Sequence, residues 1–508
     1  MATVVDELAP APAPSPRVES LGESVALLLA AAVVQRMIGF ARSVFFCRWL
    51  APEELGQWDL AFGFFSLAAP LAVIGLPGSF GRYLEHYRRR GQFQRFLKRT
   101  TLVSLGSAVV VVSLIASRPD YFGWLVFGRA EWGVVETLAC SLLAVVGFNY
   151  LAELFAGLRQ FRVVSAMNFR NSLLFAVLGT GLIAVWPTAL AVVAAYGVAC
   201  ALSCLLALPA LRAAWRQAPV APEGLVRGEV WRKLAPFAAW LWVTNMLANL
   251  FDIVDRTMLV HCSGMAEHVA LAEVGVYHSS RVVPLLLVSL AAMLAQTTTP
   301  HLSHDWEAGR QDRVGERLNL ILKVAGLGLT AGSAVILVAG PFLFDTLFEG
   351  KYAGGMAVLP WTLVYCVWSG MTTVAATYLW CAERARLMSL ALAVGLVVNV
   401  LLNLLLAPTL GLKGVVLATA TANFIALSIT YLFGHWLGWR IDSGTIVVSL
   451  LPLLLPCGAW AVGLALAAAL GQATRCDWVF DPREKRQLFE TAGAVVARLR
   501  TPRGSAPA

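Results

Sequence analysis

Runs of about twenty apolar residues recur along almost the whole chain of 508 residues. About twenty helical residues are needed to cross the hydrocarbon core of a bilayer. Only 14% of the residues are charged, whereas a soluble domain has about a quarter. Backbone polar groups in lipid must be satisfied internally, and the runs lack the short alternating pattern of barrel strands. The sequence therefore predicts an all-α polytopic membrane protein.

Twelve runs have the length of a membrane-spanning helix, and a thirteenth apolar run follows them. The twelve are 24–49, 55–77, 100–117, 133–157, 169–187, 189–211, 236–262, 273–300, 319–345, 356–381, 387–407 and 412–434, and the further run is 445–470. Residues 1–23 are rich in Pro and Ala, and Glu19 and Glu23 stand where a signal peptide has basic residues. We expect them to form a short disordered tail in the cytoplasm.

Lysine and arginine are distributed unevenly among the connections between the predicted spans. The connections on the side of the N-terminus carry twenty of these residues, and the opposite connections carry four. Cytoplasmic loops are enriched in lysine and arginine, which places the N-terminus in the cytoplasm. Topology and contact with anionic lipid account for the net charge of +9, so the charge does not indicate a nucleic-acid partner.

The end of the chain allows two topologies. A single crossing by residues 445–470 would place the basic tail, residues 471–508, outside, against the charge distribution of the other loops. Pro452 and Pro456 permit a broken or re-entrant segment instead, which keeps the tail in the cytoplasm and which we favour. The stretch DPREKRQLFETAGAVVARLR is typical of an amphipathic helix at the membrane surface.

Two short signatures recur at nearly the same distance along the chain. EELGQW follows the first span and AEVGVY follows the seventh, which aligns Glu54 with Glu273. The fifth and eleventh spans end at Pro187 and Pro408, and the interval between these prolines nearly equals that between the two glutamates. Six spans are an even number, so two such halves run parallel, related by an axis along the membrane normal. The predicted organisation is a tail (1–23), an N-terminal six-helix bundle (24–211), a cytoplasmic connection (212–235), a C-terminal six-helix bundle (236–434), an extra membrane segment (445–470) and a basic amphipathic tail (471–508).

Three of the arginines within predicted spans are candidates for binding an anion. Arg36 is roughly 18 Å into the first span, and Arg42 lies roughly 9 Å further along it, while Arg281 belongs to the eighth span. Guanidinium groups donate bidentate hydrogen bonds to phosphate and stay charged. Three of them facing a wet central cavity would form a site for a phosphate or pyrophosphate group. The alternative for each is a structural pair with an acid or with backbone carbonyls, and Arg48 is expected to be an interface residue.

Acidic and amide side chains also lie within predicted spans. Asp252 and Arg256 are four residues apart and can pair on one helix face. Asp255, Glu153 and Asp252 are candidate sites for a coupling proton or sodium ion. Asparagines in the spans either polarise a cavity or link helices, and we favour the second; they are Asn149, Asn245, Asn249, Asn399 and Asn403.

The sequence carries no pattern of an enzyme, a metal site or a cofactor site. The nine cysteines form no CxxC pair, the seven histidines form no cluster, and neither GxSxG nor HExxH occurs. GLPGSFG follows a predicted helix and lacks the lysine of a phosphate-binding loop. We therefore expect a transporter with no catalytic residue, no resident metal and no cofactor.

Several stretches resemble one family of transporters. RWLAPEELGQWDLAFGFFSLAAPLAVIGLPGSFGRYL, EVGVYHSSRVVPLLL and NVLLNLLLAPTLGLKGVVLATATAN are similar to helix pairs of the O-antigen-type polysaccharide exporters. These exporters belong to the multidrug/oligosaccharidyl-lipid/polysaccharide (MOP) superfamily. RMIGFAR resembles the first helix of the related lipid II flippases. The resemblance covers about residues 24–440, and it departs from a family that often has fourteen helices.

The resemblance implies two pseudo-symmetric six-helix bundles around a central cavity, as in multidrug (MATE-type) transporters. It implies that alternating access carries an undecaprenyl-pyrophosphate-linked glycan from the inner to the outer leaflet of a bacterial inner membrane. Arg36, Arg42 and Arg281 would bind the pyrophosphate, and a polysaccharide polymerase or assembly proteins would be partners.

Two other functions stay open. A proton- or sodium-coupled antiporter for drugs or metabolites needs an essential carboxylate in the cavity. A membrane glycosyltransferase or polymerase needs a long outer loop or a soluble domain that carries acids. The outer loops here are short, the longest being about residues 118–132, which argues against this function.

Overall fold

The computed structural model describes residues 21–217, 227–475, 480–482 and 484–486. These residues form helices and connecting turns, with no strand among them. Their α-helices are α1 (Leu21–Trp49), α2 (Pro52–Ala72), α3 (Phe80–Arg89), α4 (Phe93–Ser117), α5 (Pro119–Phe127), α6 (Trp132–Gly157), α7 (Phe161–Val185), α8 (Ala189–Gln217), α9 (Arg227–Cys262), α10 (Glu267–Arg281), α11 (Pro284–Glu307), α12 (Gln311–Pro341), α13 (Ala353–Cys381), α14 (Ala385–Leu410), α15 (Leu412–Trp436), α16 (Ser443–Leu450) and α17 (Ala459–Arg475). Short 3-10 turns lie at Pro77–Ser79 and Leu451–Cys457, and a π-helical turn lies at Phe342–Leu347.

Nine helices of the described residues are long and apolar enough to cross a membrane. They are α4, α6, α7, α8, α11, α12, α13, α14 and α15. The charged residues predicted within spans are carried mainly by α1, α9 and α10. The protein is an all-α polytopic membrane protein, as the sequence predicted.

Two predictions about individual spans need correction. The outer connection 118–132 is not a plain loop, because it contains α5, which starts at Pro119 and ends before Gly128 at φ 77°. Both residues suit these positions, since proline fits the first turn and glycine the left-handed cap. The predicted eighth span, 273–300, is two helices: α10 ends at Arg281, and Pro284 starts α11. Proline cannot donate a backbone hydrogen bond and therefore favours a new helix start.

Helices extend past two of the predicted domain boundaries. The connection 212–235 begins and ends in helix, because α8 continues to Gln217 and α9 begins at Arg227. Residues 21–23, assigned to the disordered tail, belong to α1, and the rest of 1–23 lies outside the described residues. We refer to α1–α8 as the N-terminal bundle and to α9–α15 as the C-terminal bundle; the division at 24–211 and 236–434 stays a prediction.

Each bundle is held together by contacts between consecutive helices and by contacts between helices further apart in the sequence. In the N-terminal bundle α8 packs against α6 and α7, and α7 packs against α1. The rings of Trp58, Phe175 and Tyr196 join α2, α7 and α8, with centroids 4.9–5.8 Å apart, a separation typical of favourable aromatic pairs. In the C-terminal bundle α13 packs against α11, α12 and α15, and α14 packs against α15 and α9.

The two bundles meet along α2, which packs against α9 and α10. Further contacts join them on the predicted outer side. Nε of Arg48 is 2.9 Å from the carboxylate of Glu349, and the hydroxyl of Tyr352 donates to the carbonyl of Leu50 over 3.1 Å. Arg48 is thus exposed at the end of its span, as expected, and it links the bundles there.

The segment after α15 forms a hairpin, which brings its two ends close together. Both α16 and α17 pack on α12. Lys323 of α12 is 2% exposed, and its ammonium group lies 2.6 Å from Asp442, before the hairpin, and 2.8 Å from Glu484, after it. Because one ammonium group binds both carboxylates, the two ends of the hairpin lie at the same level of the bundle. Most of the predicted amphipathic tail, 471–508, lies outside the described residues.

Candidate anion site between the bundles

A cavity of about 360 Å³ lies between the two bundles, with walls from α1, α2, α9, α10 and α11. Arg36, Arg42 and Arg281, the three arginines predicted from the sequence, all line it. Asp252 lines it too, and Arg256 adds a fourth guanidinium group. Side chains from opposite halves of the chain are thus brought to one place. We call this space the arginine cavity.

Asp59 of α2 contacts two arginines and one histidine of the C-terminal bundle. Its carboxylate lies 3.2 Å from Nε of Arg256, 2.8 Å from Nδ1 of His278 and 3.8 Å from Nη1 of Arg281. Asp59 and Arg256 are buried. A buried carboxylate is costly unless charged partners and hydrogen bonds compensate it, so this cluster fixes α2 relative to α9 and α10.

Asp252 is shared between two arginines at the edge of the same cavity. It lies 3.4 Å from Nη2 of Arg256, so the pair expected from the sequence is present. It also lies 3.2 Å from Nη2 of Arg281, whose guanidinium group is 5.1 Å from the ring of Tyr277. The side chain of Asp252 is 67% exposed, whereas that of Arg281 is 7% exposed. Arg281 therefore lines the cavity and is paired with acids at the same time.

Arg36 and Arg42 have no carboxylate partner within the part of the chain that the structure describes. The Nε atoms of both are buried without a hydrogen-bond partner there. The guanidinium group of Arg42 lies over the ring of Phe175, 4.2 Å from its centroid, a cation–π contact. The cavity lining contains four guanidinium groups and two carboxylates, so its balance of fixed charge is positive and suits an anion.

Asp255 lies apart from the arginine cavity, in a buried polar cluster of the C-terminal bundle. Its carboxylate accepts hydrogen bonds from the Thr419 hydroxyl at 2.7 Å, the Asn403 amide at 3.1 Å and the Tyr277 hydroxyl at 3.3 Å. Asn399 is hydrogen-bonded to Asn403. The side-chain oxygen of Asn403 has no donor among the described residues. The cluster links α9, α10, α14 and α15, and the three groups that donate to the carboxylate are neutral.

Glu153 lies in a second cavity, with Asn149 and Asn245. It therefore does not share a site with Arg36, Arg42 and Arg281. Of the remaining asparagines, Asn249 donates to the carbonyl of Ser66 over 3.0 Å, a link between α9 and α2 of the kind expected for amides in spans.

Residues 21–306, more than half of the chain, match the family described as polysaccharide biosynthesis protein. The chain belongs to this family. No curated protein sequence matches it.

Solved structures show which fold this family member has. The lipid II flippase MurJ in an inward closed conformation is similar with a TM-score of 0.68 and 12% identity, over 89% of this chain and 99% of that one. A multidrug resistance MATE family transporter of the MOP superfamily, in an inward-facing conformation, is similar with a TM-score of 0.62 and 16% identity, over 79% of this chain and 94% of that one. At these identities the likeness establishes the fold, which is that of MOP-superfamily transporters.

Asp59 and His278 were not singled out from the sequence of this polysaccharide biosynthesis family member. The interval between them along the chain is the same as that between Glu54 and Glu273. Extending the repeat a little further would have paired them, because residues at equivalent positions of two halves lie near each other when the halves meet at their symmetry axis. The repeat was therefore the available signal for this part of the site.

Proposed function

We propose that this protein is a flippase of a bacterial inner membrane, with its N-terminus in the cytoplasm. It carries an undecaprenyl-pyrophosphate-linked oligosaccharide or polysaccharide precursor from the inner to the outer leaflet. The observation that supports this best is the pair Arg36 and Arg42, which line an interbundle cavity without carboxylate partners among the described residues. A pyrophosphate is the anion that such paired guanidinium groups bind well.

Alternating access requires the substrate to favour one arrangement of the bundles over another. A pyrophosphate bound by Arg36 and Arg42 also comes within reach of Arg281, whose partners are now Asp252 and Asp59. When the pyrophosphate competes with Asp59 for Arg281, the contact between Asp59 and the C-terminal bundle becomes weaker. We expect substrate binding to loosen the contact of α2 with α10 and to promote opening on the predicted outer side.

Asp255 is the coupling-ion site that we favour, for a proton or a sodium ion. Carboxylate, amide and hydroxyl oxygens are the ligands preferred by hard cations, and Asp255, Asn403 and Thr419 carry one of each. Asn403 and Thr419 donate to Asp255 in this structure, and to bind a cation Asn403 would turn its side-chain oxygen, which has no donor among the described residues, toward the ion. We favour Asp255 over Asp252 because Asp252 is paired with two arginines. We favour it over Glu153 because Glu153 lies in the second cavity, with Asn149 and Asn245. The membrane potential is a further source of energy, at about 2.3 kcal/mol per charge per 100 mV for an anion leaving a negative interior.

Reconstituted vesicles test the proposal directly. Transfer of an undecaprenyl-pyrophosphate-linked oligosaccharide across the bilayer would be followed for the wild type, Arg36→Ala and Arg42→Ala. We expect each variant to lose at least about tenfold in rate, the effect of roughly 1.4 kcal/mol of lost charge-assisted binding. Arg170→Ala on α7 is the matched control, since Arg170 does not line the arginine cavity.

Equal rates for the wild type and the two cavity variants would remove the argument for an anion site, and absence of transfer by the wild type would reject the flippase. A cation-coupled antiporter for drugs or metabolites would then be the better proposal, and transport would depend on Asp255 instead. A polysaccharide polymerase or assembly proteins stay predicted partners, which co-purification from the native membrane would test.

A further inference from the structure

A second cavity lies between the bundles, nearer the predicted cytoplasmic side than the arginine cavity. Its volume is about 490 Å³, within the usual range of about 300–1,000 Å³ for small-molecule sites. The end of α2, the turn after it, α6 and α9 form its walls. Asp252 lines the arginine cavity and Asn245 lines this one, about 10 Å away along α9. The two cavities are therefore neighbours on the same pair of helices.

Three polar side chains in this second cavity have no partner within the described part of the chain. Asn149 and Glu153 lie four residues apart on α6, and Asn245 lies on α9, so both bundles contribute. All three are exposed, and none makes a hydrogen bond or an ion pair with a described residue. The described lining contains neither arginine nor lysine. The second cavity therefore offers a few polar groups on a largely apolar wall, and it has no positive charge for an anion among its described residues.

Trp242 lies on the wall of the second cavity, against a strained turn. A Cβ at Gly75 would lie 2.6 Å from Cβ of Trp242, so only glycine allows this approach. Gly75 has φ 63°, and Ile74 before it has φ 52°; a β-branched residue in the left-handed region is strained. The indole N–H of Trp242 is buried and has no acceptor among the described residues. An unsatisfied buried donor is costly, and a ligand oxygen at this wall would satisfy it.

We propose that the second cavity binds the glycan of the lipid-linked substrate, as neutral, hydroxyl-rich sugar rings. Sugar hydroxyls donate and accept hydrogen bonds, which suits the amides of Asn149 and Asn245 and the carboxylate of Glu153. Trp242 offers an apolar ring face together with an N–H donor. This inference rests on the proposed function, because a pyrophosphate held in the arginine cavity brings its sugar to the second cavity.

The test compares lipids that differ only in their sugar. The full-length protein in nanodiscs is titrated with undecaprenyl pyrophosphate and with the same lipid carrying one hexose, one N-acetylhexosamine or one deoxyhexose. We expect at least one sugar-bearing lipid to bind about tenfold more tightly than the bare lipid, because two or three hydrogen bonds are added.

Variants of the second cavity assign this gain to particular side chains. Asn149→Leu, Asn245→Leu and Trp242→Leu should each reduce the gain to about twofold or less, with the affinity for the bare lipid unchanged. Trp242→Phe keeps a ring but removes the N–H, and it should retain part of the gain. Glu153→Gln should weaken sugar binding, whereas Glu136→Gln, on the same helix outside the cavity, should not.

The outcomes separate the two proposals. If the wild type binds the bare lipid and all sugar-bearing lipids equally, the glycan site is rejected and the flippase proposal stands. A sugar-dependent gain that survives the three leucine variants also rejects the glycan site. If the wild type does not bind the bare pyrophosphate lipid, the proposed function fails, and the glycan site fails with it.

Discussion

Gly56 of α2 and Gly275 of α10 lie against each other where the two bundles cross. A Cβ at Gly56 would be 1.9 Å from the carbonyl oxygen of Leu271, and a Cβ at Gly275 would be 1.9 Å from that of Pro52. The two glycines stand at equivalent positions of the internal repeat, in EELGQW and AEVGVY. The crossing therefore lies close to the pseudo-two-fold axis, and it needs glycine on both helices.

Alanine at either position should push α2 and α10 apart. The methyl group meets a backbone carbonyl, which cannot move aside as a side chain can, so Gly56→Ala and Gly275→Ala should each cost about 1–3 kcal/mol of stability. Thermal unfolding of the purified protein measures this loss. Gly106→Ala on α4 is the control, because nothing lies within 4 Å of that site. Equal stability of Gly56→Ala and Gly106→Ala would contradict the close crossing.

Asp59→Asn should weaken the contact between the bundles. The substitution leaves Arg256 and His278 without the carboxylate that they share, and breaking a buried ion pair costs about 3–5 kcal/mol. A double-mutant cycle with His278→Gln, read by thermal unfolding, measures the coupling between the two residues. We expect the two effects to be non-additive by at least about 0.5 kcal/mol; strict additivity would show that the contact between Asp59 and His278 contributes nothing.

Arg42→Lys should retain the charge of the cavity but not the forked donor geometry. Lysine binds phosphate as a point charge, and it stacks less well on Phe175 than a planar guanidinium group does. We expect undecaprenyl pyrophosphate to bind about tenfold more weakly to this variant, as measured by titration in nanodiscs. Arg170→Lys should bind like the wild type, and an unchanged affinity of Arg42→Lys would show that charge alone is enough.

Asp255→Asn should remove the response to the coupling ion. If sodium binds to Asp255, raising its concentration to about 100 times the dissociation constant should stabilise the wild type by about 2.7 kcal/mol. If a proton is the coupling ion, the pH dependence of transport should be lost instead. Asp255 does not line the arginine cavity, so Asp255→Asn should still bind the pyrophosphate lipid when no transport takes place. An ion response that persists in Asp255→Asn but disappears in Glu153→Gln would move the coupling site to the second cavity.

The C-terminus should lie on the same side of the membrane as the connection between α11 and α12. Lys323, in the N-terminal half of α12, contacts both Asp442 and Glu484, so the hairpin of α16 and α17 returns to its starting level. A reporter fused after residue 508 and one inserted at Gly309 should give the same topology signal. Opposite signals would mean that residues 445–470 cross the membrane once.

The local sequence pattern predicts much of the fold. The predictions that differ from the structure lie where one residue type is compatible with two backbone structures. Bilayer thickness sets the length of a span, and nine of the twelve predicted spans overlap described helices that are long and apolar enough to cross a membrane. Pro284 is compatible with a kinked helix or a new one, and only the packing of α10 and α11 shows the break before it. The apolar run 445–470 has the length of a crossing, and the contacts of Lys323 decide that it is a hairpin.

For the site, the sequence by itself determined that Arg36, Arg42 and Arg281 must face something other than lipid, because an uncompensated charge in hydrocarbon is too costly. Only the tertiary structure decided which compensation each one has. Arg281 is held by Asp252 and Asp59, whereas Arg36 and Arg42 face the cavity without an acid among the described residues. Pairing depends on distances of a few ångströms between helices far apart in sequence, and no local pattern encodes them.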